Sequence, residues 1–305
     1  MPQKLIVRIA NGLGNQLFLY ASAFAISKKI NKILEIDNES GFLKEDRKIR
    51  YELDNFKITS NITEQHYKFN NKYKNIKRKV DKKLDFLRNK KKFLIEDKKK
   101  NSFIKFSNKY FCNRYQDIVY MEGYFQSEKY FKDYETDIKS EFNFNQNIID
   151  KNEAFKNDIL NSNSVLIHIR NHVFSETIKK QNKILNLEKS NIYTQKTILH
   201  CKKAIEFFKK KISNPMFFIF SNDFNLIKKS FIGNEFKYMD KNESLMPIDD
   251  FYLMTLCKHF IISPSTFSWW AAWLSKNKNK ICVKPDKDLF MSSNLDIYPN
   301  NWINI

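Results

Sequence analysis

The C-terminal half of the chain alternates between two kinds of segment, and this alternation is the strongest constraint on its fold. Strand-like apolar runs occur at SVLIHIR (164–170), PMFFIFS (215–221), EFKYM (235–239), HFIIS (259–263) and KICVK (280–284). Between them lie stretches that read as helices, at 192–211, 224–231, 249–258 and 266–275. Strands and helices alternating at this density predict a parallel sheet with helices on both faces.

The N-terminus opens in the same way. KLIVRIA (4–10) reads as a buried strand, NGLGNQ as a turn, and ILEID (33–37) as a second strand. The helix between them places Leu17, Ala21, Phe24 and Ala25 at helical spacing. A βαβ opening in a chain of 305 residues predicts two α/β domains. The boundary is expected in the Asn-rich stretch 143–163, dividing the chain into 1–150 and 151–305, with a basic insertion near 60–115.

The formal net charge is +20, and residues 72–100 hold 14 Lys/Arg against 4 Asp/Glu. Half of the charge thus sits in one segment. Within it Tyr73, Ile76, Val80, Leu84 and Leu87 are spaced 3, 4, 4 and 3, which makes one apolar helix face with a basic remainder. Two readings stand. The helix packs on the N-terminal domain, or it lies on the anionic inner face of a membrane. Nucleic acid would also suit the charge, but no nucleic-acid-binding motif accompanies it, and no such partner is expected.

Four cysteines form no C-x-x-C pair and five histidines form no H-E-x-x-H cluster, so free thiols and no protein-held metal are expected. No window holds 18 apolar residues in a row, and the first apolar stretch breaks at Asn11 and Gly12. The expected location is the cytoplasm.

The candidate site lies at strand ends. His168 and Arg170 alternate with Ile169, so both point to the same side of the strand, at its carboxyl end. Open α/β sheets bind ligands there. Arg170 either binds a phosphate group through bidentate hydrogen bonds or pairs with an acid on a neighbouring loop. Asp223 follows PMFFIFS and either caps the next helix or accepts hydrogen bonds from a nucleoside. Ser265, Thr266 and Ser268 open a helix after HFIIS, where hydroxyls and free N–H groups suit an anion. Gly12 and Gly14 lie in a strand-to-helix turn that is either structural or a point of close ligand approach. Asp249 and Asp250 read as helix capping, and Trp269, Trp270 and Trp273 as core. Together the strand ends point to a nucleoside diphosphate and to a two-domain nucleotide-sugar transferase.

NGLGNQLFLYA, GYFQSEKYF (123–131), HIR (168–170), FSND (220–223) and DDFYLMTLCKHFIISPSTFSWWAAWL occur in the order found in the bacterial alpha-1,2-fucosyltransferases, glycosyltransferase family 11, and the chain resembles that family from about residue 5 to about residue 290. The resemblance implies a GT-B fold, two Rossmann-like domains facing across a cleft. It implies GDP-fucose as donor, inversion at the anomeric carbon, transfer to O2 of a galactose-type acceptor on a surface glycan, and no metal or other cofactor. It assigns Arg170 and His168 to the donor diphosphate motif, Ser265, Thr266 and Ser268 to the phosphate-binding helix start, and Asp223 to the nucleoside. Gly12, Gly14, Asn15 and Gln16 fall in its N-terminal cleft loop. The family continues H-x-R-R-x-D, whereas this chain reads H-I-R-N-H-V, with Asn171 for the second arginine and Val173 for the acid. His172 and Glu176 are the nearby groups able to substitute as general base beside His168.

Overall fold

The computed structural model describes residues 3–43, 49–96, 105–112, 114–171, 183–240, 246–285, 289 and 296–305. The chain divides into two units. One comprises the described residues of Met1–Asn145 and Ser292–Pro299, the other those of Gln146–Met291 and Asn300–Ile305.

The first unit contains β1 (Lys4–Arg8), α1 (Leu13–Lys29), β2 (Ile33–Asp37), β3 (Asn61–Ile62), α2 (Lys72–Leu84), β4 (Lys91–Ile95), β5 (Tyr115–Glu122) and α3 (Glu135–Glu141). Its strands form one sheet in the order β3-β2-β1-β5-β4, and every pairing is parallel. The basic stretch 60–115, expected as an insertion, supplies both edge strands of this sheet. Helix α1 is buried on almost every face, with Leu17, Phe18, Leu19, Tyr20 and Ala21 fully enclosed. Such a helix belongs to the core of its domain, not to its surface.

The second unit contains α4 (Gln146–Lys151), α5 (Glu153–Leu160), β6 (Asn163–Ile169), α6 (Lys183–Lys211), β7 (Pro215–Ser221), α7 (Ile227–Ser230), β8 (Phe236–Tyr238), α8 (Pro247–Leu256), β9 (His259–Ile261), α9 (Thr266–Leu274) and β10 (Cys282–Val283). Its sheet runs β10-β9-β6-β7-β8, again wholly parallel. Val165, Ile167 and Ile169 of β6 share one core with Cys201, Ala204, Ile205 and Phe208 of α6. The period of two sends His168 to the opposite face. Trp269, Trp270 and Trp273 are buried there against Trp302 and one another.

The second sheet reverses its strand order once, between β6 and β9: the chain steps from β6 to β7 and β8 on one side and from β9 to β10 on the other. A reversal splays apart the connections that leave the two strands, and this opens a crevice beyond their carboxyl ends. No helix among the described residues is long and apolar enough to cross a membrane.

Candidate active site

The second unit's reversal point collects the sequence candidates. β6 ends on His168 and Ile169 with Arg170 just beyond, and its last partner on β9 is the pair Ile167–Ile261. Beyond β9 the chain passes Ser263 and Pro264 and enters α9. Ser263 Oγ lies 3.2 Å from His168 Nδ1, and the Phe267 ring lies 6.0 Å from the imidazole. Burial, and then the positive charge of Arg170, hold the His168 imidazole down to about 3. His168 is therefore neutral near pH 7, a hydrogen-bonding group with little basicity. Arg170 itself is exposed at the strand end. Its charge is also felt at the buried phenol of Tyr193 on α6.

Helix α9 is capped by Ser265, whose Oγ accepts the Phe267 N–H at 3.3 Å. Ser268 is fully buried and donates to the carbonyls of Ser263 and Ser265, both at 3.3 Å, which fixes the turn from strand to helix. Ser265 and Thr266 are half-buried at the helix start. First-turn N–H groups have no intrahelical acceptors, so this end attracts an anion beside the Arg170 strand end.

On the other side of β6 the loop after β7 is tied down by Asn171. Its N–H donates to Asn222 Oδ1 at 2.7 Å, and Asn222 Nδ2 returns a bond to the Asn171 carbonyl at 3.1 Å. Asn171 Nδ2 donates to the Asp223 carbonyl at 2.6 Å and to Ser221 Oγ at 3.2 Å. The residue standing in place of an arginine is thus a buried clamp between two strand ends. One oxygen of Asp223 accepts the Asn225 N–H at 2.9 Å, an Asx turn that shapes the loop.

Asp249 serves the fold. Its carboxylate accepts the Met246 N–H at 2.8 Å, takes Asn152 Nδ2 at 2.9 Å and pairs with Lys151 at 3.0 Å, so it caps α8 and anchors α4 and α5. His172, Val173 and Glu176 lie outside the described residues. Among the described residues no group of three or more His, Cys, Asp or Glu side chains converges as a metal-binding set.

In the first unit the glycine loop follows the carboxyl end of β1, the central strand of its sheet. The left-handed backbone falls on Asn11, with φ of 67°, while Gly12 caps α1 with φ of −68°. A Cβ on Gly12 would meet nothing within 4 Å, so this glycine leaves room in front of the helix. Gly14 is buried within α1. Gln16 is fully buried and serves the fold: it donates to the Asn11 and Arg50 carbonyls at 2.8 and 2.7 Å and accepts the Glu52 N–H at 2.9 Å. Asn15 accepts from Gln126 Nε2 at 2.6 Å, joining the first turn of α1 to the loop that follows β5. Two contributors had not been singled out in the sequence, Ser263 and Tyr193. Ser263 carried a signal, a polar residue closing an apolar strand, whereas Tyr193 looked like any aromatic on an amphipathic helix.

Comparison with known proteins bears on the family and the fold. The family model described as Glycosyl transferase family 11 matches residues 4–305. The chain is 26% identical to the O-antigen biosynthesis glycosyltransferase WbnK of Escherichia coli, over 97% of this chain and 99% of that protein. It is also 26% identical to an alpha-1,2-colitosyltransferase of Escherichia coli, over 99% and 98%. The fold is shared with NodZ alpha-1,6-fucosyltransferase soaked with GDP-fucose, with a TM-score of 0.51, 14% identity and coverage of 95% of this chain and 97% of that one. With its two parallel-strand sheets the fold is α/β, of GT-B type. A family match over nearly the whole length and this architecture lead to one conclusion: the chain is a glycosyltransferase and belongs to glycosyl transferase family 11.

Proposed function

We propose that the protein is a metal-independent, inverting fucosyltransferase that moves L-fucose from GDP-fucose to the 2-hydroxyl of a galactose-type residue on a surface glycan. The observation that carries this reading is that Arg170 and the α9 start follow the carboxyl ends of β6 and β9, the neighbouring strands at the sheet's reversal point. The acceptor hydroxyl attacks the anomeric carbon, the bond from that carbon to the β-phosphate oxygen breaks, and GDP leaves. Negative charge grows on the β-phosphate as it does so. Arg170, a cation, and the first-turn N–H groups of α9, aligned dipoles, stabilise it by preorganised electrostatics, the task a divalent ion would otherwise perform. Neutral His168 positions this strand end through Ser263. Asp223 is assigned to the nucleoside. Loss of the acceptor proton falls to His172 or Glu176.

A second reading follows from the colitosyltransferase relative and from Asn171: the same machinery with a different GDP-sugar. A donor panel tests both. GDP-fucose, GDP-colitose, GDP-mannose and UDP-galactose are each offered with a galactose-terminated acceptor, with and without EDTA. Turnover of GDP-fucose that is indifferent to EDTA and falls roughly 100-fold or more in Arg170→Ala supports the first reading. Preference for another GDP-sugar selects the second, and turnover of UDP-galactose alone defeats both.

A further inference from the structure

Helix α2 is built with its polarity reversed. Its charged face points inward. Arg78 is buried and pairs with Glu122 of β5, and Lys82 reaches the same carboxylate at 2.8 Å. Buried Asp85 accepts the N–H groups of Lys92 and Phe93 at 2.9 and 3.2 Å, and Asp81 pairs with Lys92 at 2.7 Å. The apolar face that the spacing marks out is turned to solvent. Tyr73, Ile76, Val80, Leu84 and Leu87, with Phe86, are all exposed, from 45% at Leu84 to 85% at Tyr73.

Around this stripe stand Lys72, Lys77, Lys79, Lys83 and Lys90, all exposed. The acids of residues 72–92 are Asp81 and Asp85, and both are held by ion pairs, so the outward face is purely cationic. An apolar stripe of this size signals an interaction surface. Nucleic acid would meet the lysines but leave the stripe in water. A second copy would oppose lysine to lysine. An anionic lipid surface satisfies both parts: the stripe enters the acyl boundary and the lysines meet the headgroups. We propose that this face of α2 and the turn after it docks the enzyme on an anionic phospholipid bilayer.

The test uses the full chain with vesicles of phosphatidylcholine alone or mixed with phosphatidylglycerol. The protein is expected to co-sediment about ten-fold or more strongly with the anionic vesicles, and to lose about five-fold for each lysine in Lys77→Gln and Lys83→Gln. Val80→Ser combined with Leu87→Ser should abolish binding while thermal unfolding stays at the parent value, because these side chains are exposed. Equal binding to both vesicle types, or binding that survives these substitutions, overturns the proposal. So does a dimer in sedimentation equilibrium that Val80→Ser dissolves, because the face would then belong to a second copy.

Discussion

His168 carries an imidazole into a site where it cannot easily take a proton. Its ordinary value is 6.5 and burial lowers it to about 3, so the unfolded chain binds the proton more readily than the folded one. The stability this group contributes is complete above the unfolded value and is lost as pH falls toward the folded one. Urea unfolding should therefore show a loss of about 2 kcal/mol between pH 7 and pH 5 from this residue alone. His168→Asn should flatten that part of the profile, and an unchanged slope would mean that the imidazole is hydrated. Asn171 acts at the same scale by geometry. Asn171→Ala removes the bonds to Ser221 and the Asp223 carbonyl and should cost about 1–3 kcal/mol in unfolding free energy. Asn171→Arg should cost at least as much, because this side chain is enclosed and its clamp partners cannot neutralise a guanidinium.

The elements show how a loop divides its labour. Asn11→Ala should destabilise by about 1–2 kcal/mol, since only the left-handed backbone closes the turn into α1. Gly12→Ala should leave unfolding unchanged, because its backbone is ordinary and its space open, yet raise the donor or acceptor KM if a substrate uses that room. Steady-state kinetics beside a thermal melt separates the two effects. Much at this scale was legible in the sequence: β2 and β7 occupy the residues their apolar runs marked, and the reversal-point residues followed from the ends of such runs. β4 was not legible, because KKFLI lies in a lysine-rich stretch and each face of the strand begins with a lysine. Nor was the role of Gln16, whose partners at Arg50 and Glu52 are remote in sequence and give no local pattern. Helix α2 was read correctly as amphipathic, but periodicity is silent about which face turns inward. Glu122, far along the chain, decides that by demanding Arg78 and Lys82.

Across the whole molecule, the last ten residues are divided between the two units, an arrangement for which the sequence offered no sign. Asp296 belongs to the first: its carboxylate accepts the Phe106 N–H at 2.8 Å and pairs with Lys129, and its carbonyl accepts Ser127 Oγ at 2.7 Å. Trp302 and Ile303 belong to the second: Trp302 is buried with its ring 5.5 Å from Trp269, and Ile303 exchanges backbone bonds with β10 and the residue after it. Neither unit is therefore complete without the C-terminus, and a two-domain chain need not unfold in one step. Trp302→Ala should cost the second unit about 3–5 kcal/mol through the cavity it leaves. Asp296→Ala should cost the first about 1–3 kcal/mol through unsatisfied donors. Hydrogen exchange resolves where each loss lands. Protection should fall around α9 and β10 in the tryptophan variant and around residues 105–111 and 127–130 in the aspartate variant. Loosening of the same residues by both would mean that the C-terminal segment acts as one anchor and that its division between units has no energetic meaning.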